Sequence, residues 1–187
     1  MQAGASALSI LTDSNFFGGT NDDLKQARTF NFCPILRKDF IIDSYQIIEA
    51  KSIGADAILL IAAMLSIQQT TELSKQAKDL GLEVLLEVHN EQELEHLNDH
   101  IDIVGVNNRD LKSFEINLDT SHLLVNIVPD RYVKISESGI STPEECAALR
   151  AIGYDGFLIG TQFMHQAVPH LACAEFIKKL NKIETNS

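Results

Sequence analysis

Lys38, Glu87, Asn107, Arg109, Glu137 and Ser138 each stand at or just past the end of a short β-prone run. Plain exits from strand to loop carry turn residues, whereas these carry an ammonium, carboxylates, an amide, a guanidinium and a hydroxyl. Groups of those kinds can move protons and hold an anion. Lys38 is in step with Pro34 and Leu36 on a strand of period two, so all three point to one side. A partly desolvated amine there can donate a proton, hold a carboxylate or form a Schiff base. The competing reading of Arg37-Lys38-Asp39 is a solvated charged turn. Glu87, in step with Leu85, suits a general base within reach of the same ligand, or a buried carboxylate paired with a lysine as structural glue.

Glu137-Ser138-Gly139 and Gly160-Thr161 follow the last two β-prone runs. Glycine lets backbone N–H groups approach an anion, and the start of a helix adds unpaired donors, so the two corners together fit a phosphate. Either dipeptide alone reads as an ordinary turn. Neither a GxGxxG nor a GxxxxGK[ST] pattern is present, which turns the reading away from nucleotides. Asn107-Asn108-Arg109-Asp110 offers neutral donors and a guanidinium suited to hydroxyls and a carboxylate or phosphate, with Asn108 and Asp110 read as loop-closing residues. Phe16, Phe17 and Phe40, with Leu60, can form an apolar wall for an aromatic ring, although core packing suits at least one phenylalanine better. His96 and His100 are spaced as in HExxH, but Leu97 stands where the glutamate belongs, so they are read as surface histidines and no metal site is assigned.

The elements that must position these residues recur about every 25 residues as a β-prone run followed by a helix-like stretch. The runs are Ala7–Leu11, Pro34–Lys38, Asp56–Ile61, Leu82–Val88, Ile103–Asn107, Tyr132–Ser136 and Gly156–Ile159. Helices are expected from about Asp22, from Ser44 as cap with Ile47, Ile48 and the Lys51 stem on one face, from Ser66 to Leu80, and near Asp119 to Ile127. Further helices are expected from Thr142-Pro143 and over Leu171 to Ile183, with Asn90 and Glu93 forming a capping box for another through Leu97. Alternating units of this kind predict an α/β fold of the TIM (β/α)8 type. Seven strands are counted where closure takes eight. Ala3-Gly4-Ala5 has the look of a helix end, so the expectation is a single barrel domain over residues 1–187, N-terminally truncated, with unpaired edges that offer a route to self-association.

A chain of 187 residues supports one substantial core. A net charge of −11 leaves no basic stripe for nucleic acid, which is excluded as the main partner. The three cysteines, Cys33, Cys146 and Cys173, show no CxxC spacing, and a reducing cytoplasm is the expected location. No apolar run reaches the roughly 18 residues of a membrane span.

Six stretches in order resemble the indole-3-glycerol phosphate synthase family, a TIM barrel of tryptophan biosynthesis. They are Ala7–Thr12 with Phe16–Gly19, Pro34–Phe40, Gly54–Ile61, Leu86–His89, Gly105–Leu111 and Ser136–Ile140. The resemblance implies ring closure of 1-(2-carboxyphenylamino)-1-deoxyribulose 5-phosphate with loss of carbon dioxide and water, a lyase reaction on a phosphosugar, with no cofactor or metal. It implies Lys38 as general acid and Glu87 as the carboxylate assisting proton transfer. Asn107 and Glu137 match polar residues that orient the substrate and the catalytic groups. Ser138, Gly139, Gly160 and Thr161 match phosphate positions, Phe17, Phe40 and Leu60 the ring-binding wall, and Arg109 a residue near the substrate carboxylate. The family's first strand, with its glutamate and lysines ahead of a Ser-Pro segment, has no counterpart here, so activity is expected to need that unit from elsewhere. The alternatives are a catalytically impaired phosphosugar-binding barrel fragment, or a phosphoribosylanthranilate isomerase-like barrel, which would rely on a cysteine and aspartate pair not placed at strand ends.

Overall fold

The aliphatic runs form strands because each is short, rich in branched side chains and closed by a turn before a capped helix. The computed structural model describes residues 3–185. Its strands are β1 (Leu8–Leu11), β2 (Ile35–Lys38), β3 (Ala57–Ile61), β4 (Glu83–Val88), β5 (Ile103–Asn107), β6 (Val133–Glu137) and β7 (Gly156–Leu158). They follow one another in the sheet in chain order. β1 pairs with β2, β2 with β3, β3 with β4 and β6 with β7, all parallel. This is the α/β arrangement of (β/α)-barrel proteins, with seven strands among the described residues. Every residue of β3 is buried, as expected of a parallel strand covered on both faces.

The connecting helices are α1 (Asn21–Phe30), α2 (Ser44–Ser52), α3 (Ile67–Asp79), α4 (Asp119–Leu124), α5 (Pro143–Ala151), α6 (Thr161–Met164) and α7 (Pro169–Thr185). Reciprocal capping boxes start four of them: Thr20 with Asp23, Asp43 with Gln46, Ser66 with Gln69, and Thr142 with Glu145. The α2 cap is thus Asp43 rather than Ser44. That helix buries Ile47 and Ala50 and leaves Ile48 exposed, because a neighbour in sequence lies about 100° round the helix. The expected capping-box helix at Asn90 is instead a 3₁₀ segment, Glu91–His96. Its tighter winding turns His96 inward, where Nδ1 lies 2.8 Å from Thr70 Oγ1, so His96 is buried and not on the surface. His100 is half-buried.

One device recurs at the N-terminal ends of alternate strands. The N–H of Ile35 donates to Asp56 Oδ2 at 2.8 Å, that of Val84 to Asp102 Oδ2 at 2.9 Å, and that of Lys134 to Asp155 Oδ2 at 2.8 Å. Each aspartate returns its own N–H to the carbonyl of the same residue, at 2.9, 3.1 and 2.8 Å. These clasps fix strand register at the end that carries no candidate chemistry, leaving the C-terminal ends to the loops.

Contacts within the chain cluster into two units, Ser6–Val88 with Gln92–Val104, and Gly105–Ser187 with Met1–Ala5 and His89–Glu91. Each is described by itself.

Candidate active site

In the unit containing β1 to β4, register decides what faces what. Side chains of register partners in parallel strands share a face. Leu11 pairs with Lys38, Leu36 with Ala57 and Ile61 with Glu87, so Lys38, Leu36, Leu59, Ile61, Leu85 and Glu87 lie on one face. Lys38 Nζ reaches Glu87 Oε2 at 3.1 Å across the intervening β3. The two come from alternate strands, as the layered filling of a barrel interior requires. The Lys38 side chain is 14% exposed and that of Glu87 3%. A pair so far out of water has paid a desolvation cost that an apolar pair would avoid, which points to use rather than to stability.

Arg37 lies on the opposite face, against α2. Its guanidinium donates to Thr12 Oγ1 at 3.0 Å, to Asp39 Oδ2 at 3.2 Å, to the Gln46 carbonyl at 2.8 Å and to Glu49 Oε2 at 2.6 Å. Thr12 donates to the same Asp39 oxygen at 2.7 Å. The Arg37-Lys38-Asp39 segment is therefore not a solvated turn: Arg37 and Asp39 are buried and lock the exits of β1 and β2 together.

Phe40 follows directly, its N–H on Asp39 Oδ1 and its carbonyl held by Gln46 Nε2 at 2.9 Å. Phe17 stacks on Phe40 with centroids 4.8 Å apart, and Phe16 meets it edge-on at 5.2 Å. Leu60 does not join this set from the Lys38 face. It shares the Arg37 face with Ile58, whereas Leu59 lies on the face of Lys38 and Glu87.

In the second unit, β6 and β7 run side by side with Glu137 in register with Leu158, so their two glycine-bearing exits are neighbours. Glu137 ends β6 and is buried. Ser138 and Gly139 both adopt positive φ, +66° and +78°. At Gly139 a Cβ would lie 2.3 Å from Ile116 Cγ2, so this position requires glycine. At Gly160 a Cβ would meet nothing within 4 Å. Gly160 precedes α6, a short helix not expected from sequence, and Thr161 opens it exposed to solvent.

Asn107 closes β5, buried, and its Oδ1 accepts the N–H of Arg109 at 3.0 Å; Arg109 itself is half-buried and bridges to Ile116. Asp110 accepts the N–H groups of Lys112 and Ser113, a loop-closing role that holds its carboxyl below the usual carboxylate value. Sequence reasoning passed over Ser121 and Tyr154, which are buried behind this loop; the tyrosine hydroxyl donates to the Ser121 carbonyl at 2.9 Å. Cys33 precedes β2, Cys146 lies on α5 and Cys173 on α7, so among the described residues no cysteine occupies a strand's C-terminal end. Burial pushes the Cys146 thiol up to about 12, leaving it inert as a nucleophile.

Among the described residues no group of three or more His, Cys, Asp or Glu side chains is placed to hold a metal ion, and no helix is long and apolar enough to cross a membrane. The sequence model described as Indole-3-glycerol phosphate synthase matches residues 1–176. An indole-3-glycerol phosphate synthase of Bacteroides thetaiotaomicron is 50% identical over 180 residues, covering 96% of this chain and 69% of that protein. One from Polaromonas naphthalenivorans is 47% identical over 173 residues, covering 92% and 66%. The chain thus spans about two thirds of the length of these curated relatives. In structure it is similar to 3-hexulose-6-phosphate synthase from Salmonella typhimurium, with a TM-score of 0.76 at 14% identity over 93% of this chain and 86% of that one, a likeness of fold.

Proposed function

Since the chain belongs to the indole-3-glycerol phosphate synthase family, we propose that it closes the indole ring of 1-(2-carboxyphenylamino)-1-deoxyribulose 5-phosphate, releasing carbon dioxide and water. The observation that carries this reading is the 3.1 Å contact between Lys38 Nζ and Glu87 Oε2. In the first step the ring carbon bearing the carboxylate attacks the ribulose carbonyl carbon. The Lys38 ammonium donates a proton to the carbonyl oxygen as that carbon–carbon bond forms, so negative charge does not build on oxygen. Loss of carbon dioxide returns its bonding pair to the ring. The new hydroxyl then leaves as water, with one proton supplied by an acid and one removed by a base. Glu87 assists this transfer and keeps the lysine oriented.

The other assignments belong to the same reading. Phe17 and Phe40 stack as an apolar surface for the aromatic ring, and Leu59 rather than Leu60 joins them in it. Arg109 answers the substrate carboxylate, and Asn107 and Glu137 orient hydroxyls and the reacting groups. Backbone N–H groups at Ser138, Gly139, Gly160 and Thr161 hold the phosphate. The location is the cytoplasm, where thiols stay reduced. Incubating the purified chain, supplied with the family's N-terminal βα unit, with the substrate and measuring carbon dioxide beside indole fluorescence tests the reading. Equal release of both supports it, and binding without either product would favour a phosphosugar-binding protein.

A further inference from the structure

We propose that Asn108 is the positioning residue of the Glu137–Gly139 corner, aiming the N–H groups of Ser138 and Gly139 at the substrate phosphate. The inference rests on reading that corner as a phosphate site. Asn108 is 2% exposed, and no part of the mechanism uses it. Its Nδ2 donates to Ser136 Oγ at 3.0 Å, to the Glu137 carbonyl at 3.0 Å and to the Ser138 carbonyl at 3.1 Å. Its backbone N–H adds a second bond to the Glu137 carbonyl at 2.9 Å. The amide cannot flip, because Oδ1 accepts from both the N–H and the hydroxyl of Ser121, at 3.2 and 2.8 Å. Ser121 is fixed in turn by Ser136 Oγ at 2.7 Å and by the Tyr154 hydroxyl on its carbonyl.

The consequence follows from peptide geometry. In a trans peptide the C=O and the following N–H point in opposite directions. Two successive carbonyls drawn toward Asn108 therefore turn the N–H groups of Ser138 and Gly139 away from it, to one side. Extended backbone would alternate them; a left-handed residue between the two planes does not, and Ser138 has φ +66°. For a serine this conformation is costly and persists where its surroundings impose it. The Asn108 amide is the group that does so.

The test uses Asn108→Ala, the milder Ser121→Ala and, one bond further out, Tyr154→Phe. Calorimetry gives the dissociation constant of inorganic phosphate, and steady-state kinetics gives KM and kcat separately. Asn108→Ala is expected to raise the phosphate constant and KM together by about tenfold, with kcat held within about threefold and its pH profile unmoved. Ser121→Ala should move both the same way by less and decides the matter should Asn108→Ala not fold. Tyr154→Phe, which removes the outermost bond of the network, should move both constants the same way by less than Ser121→Ala does. Phosphate affinity within about twofold of the parent in folded Asn108→Ala, or in Ser121→Ala where that variant stands alone, overturns the inference, as does a parent chain that binds no phosphate. A parent that binds phosphate without turnover defeats the catalytic reading and leaves this inference to be decided by the phosphate constants.

Discussion

The Lys38 ammonium and the Glu87 carboxylate meet at 3.1 Å although a whole strand runs between theirs. Register explains it: both lie at the C-terminal ends of alternate strands with side chains on one face, over Ile61 and Leu59. Replacing the carboxylate with its neutral isostere keeps the shape and removes the charge. Glu87→Gln is expected to lower kcat by about 10²–10⁴ while the protein stays folded, measured by steady-state turnover beside circular dichroism. Unchanged kcat would make Glu87 a structural partner of the lysine only.

The two glycine corners should respond differently to the same added methyl group. Gly139→Ala places a Cβ at positive φ and against Ile116, and is expected to cost at least about 1–2 kcal/mol of stability by denaturant titration. Gly160→Ala meets open space, so stability should stay within about 0.5 kcal/mol. Its KM should nevertheless rise on the order of tenfold, because the methyl group occupies room needed by the phosphate. An unmoved KM in Gly160→Ala would remove Gly160 from the phosphate site.

Burial holds the His96 imidazole below its ordinary value of 6.5, outweighing Glu93 and Glu95, which act to raise it. As pH falls the unfolded chain takes up this proton before the folded chain does. Stability from this group is therefore whole above about pH 6.5 and declines below it, until the folded imidazole is itself protonated. Urea titrations between roughly pH 7.5 and 5.5 should show a steeper loss in the parent than in His96→Gln. Equal slopes would contradict the account of His96.

Much of this was legible in sequence because local patterns and tertiary demands agree. The βα alternation, the Thr142-Pro143 helix start and the step from Leu36 to Lys38 each follow from spacing that the fold then uses. Leu60 was misplaced for a physical reason: in a strand buried on both faces, Leu59 and Leu60 are chemically identical, and only register against β2 and β4 tells which looks toward Lys38. Arg37 was hidden by its neighbours, since Arg-Lys-Asp at a strand exit has the composition of a wet turn, and its partners Thr12 and Glu49 lie far away in sequence. Ser121 and Tyr154 carried no signal at all, because their value lies in supporting Asn108 from elements that only the fold brings near.

Replacing Lys38 tests the central claim most directly. The rate of indole-3-glycerol phosphate formation at saturating substrate is compared between the parent chain and Lys38→Ala, each supplied with the family's N-terminal βα unit, with calorimetry on a substrate analogue confirming that the variant still binds. The account predicts product from the parent and a kcat lower by about 10²–10⁴ in Lys38→Ala with binding retained. Product formed by Lys38→Ala at the parent rate would contradict it.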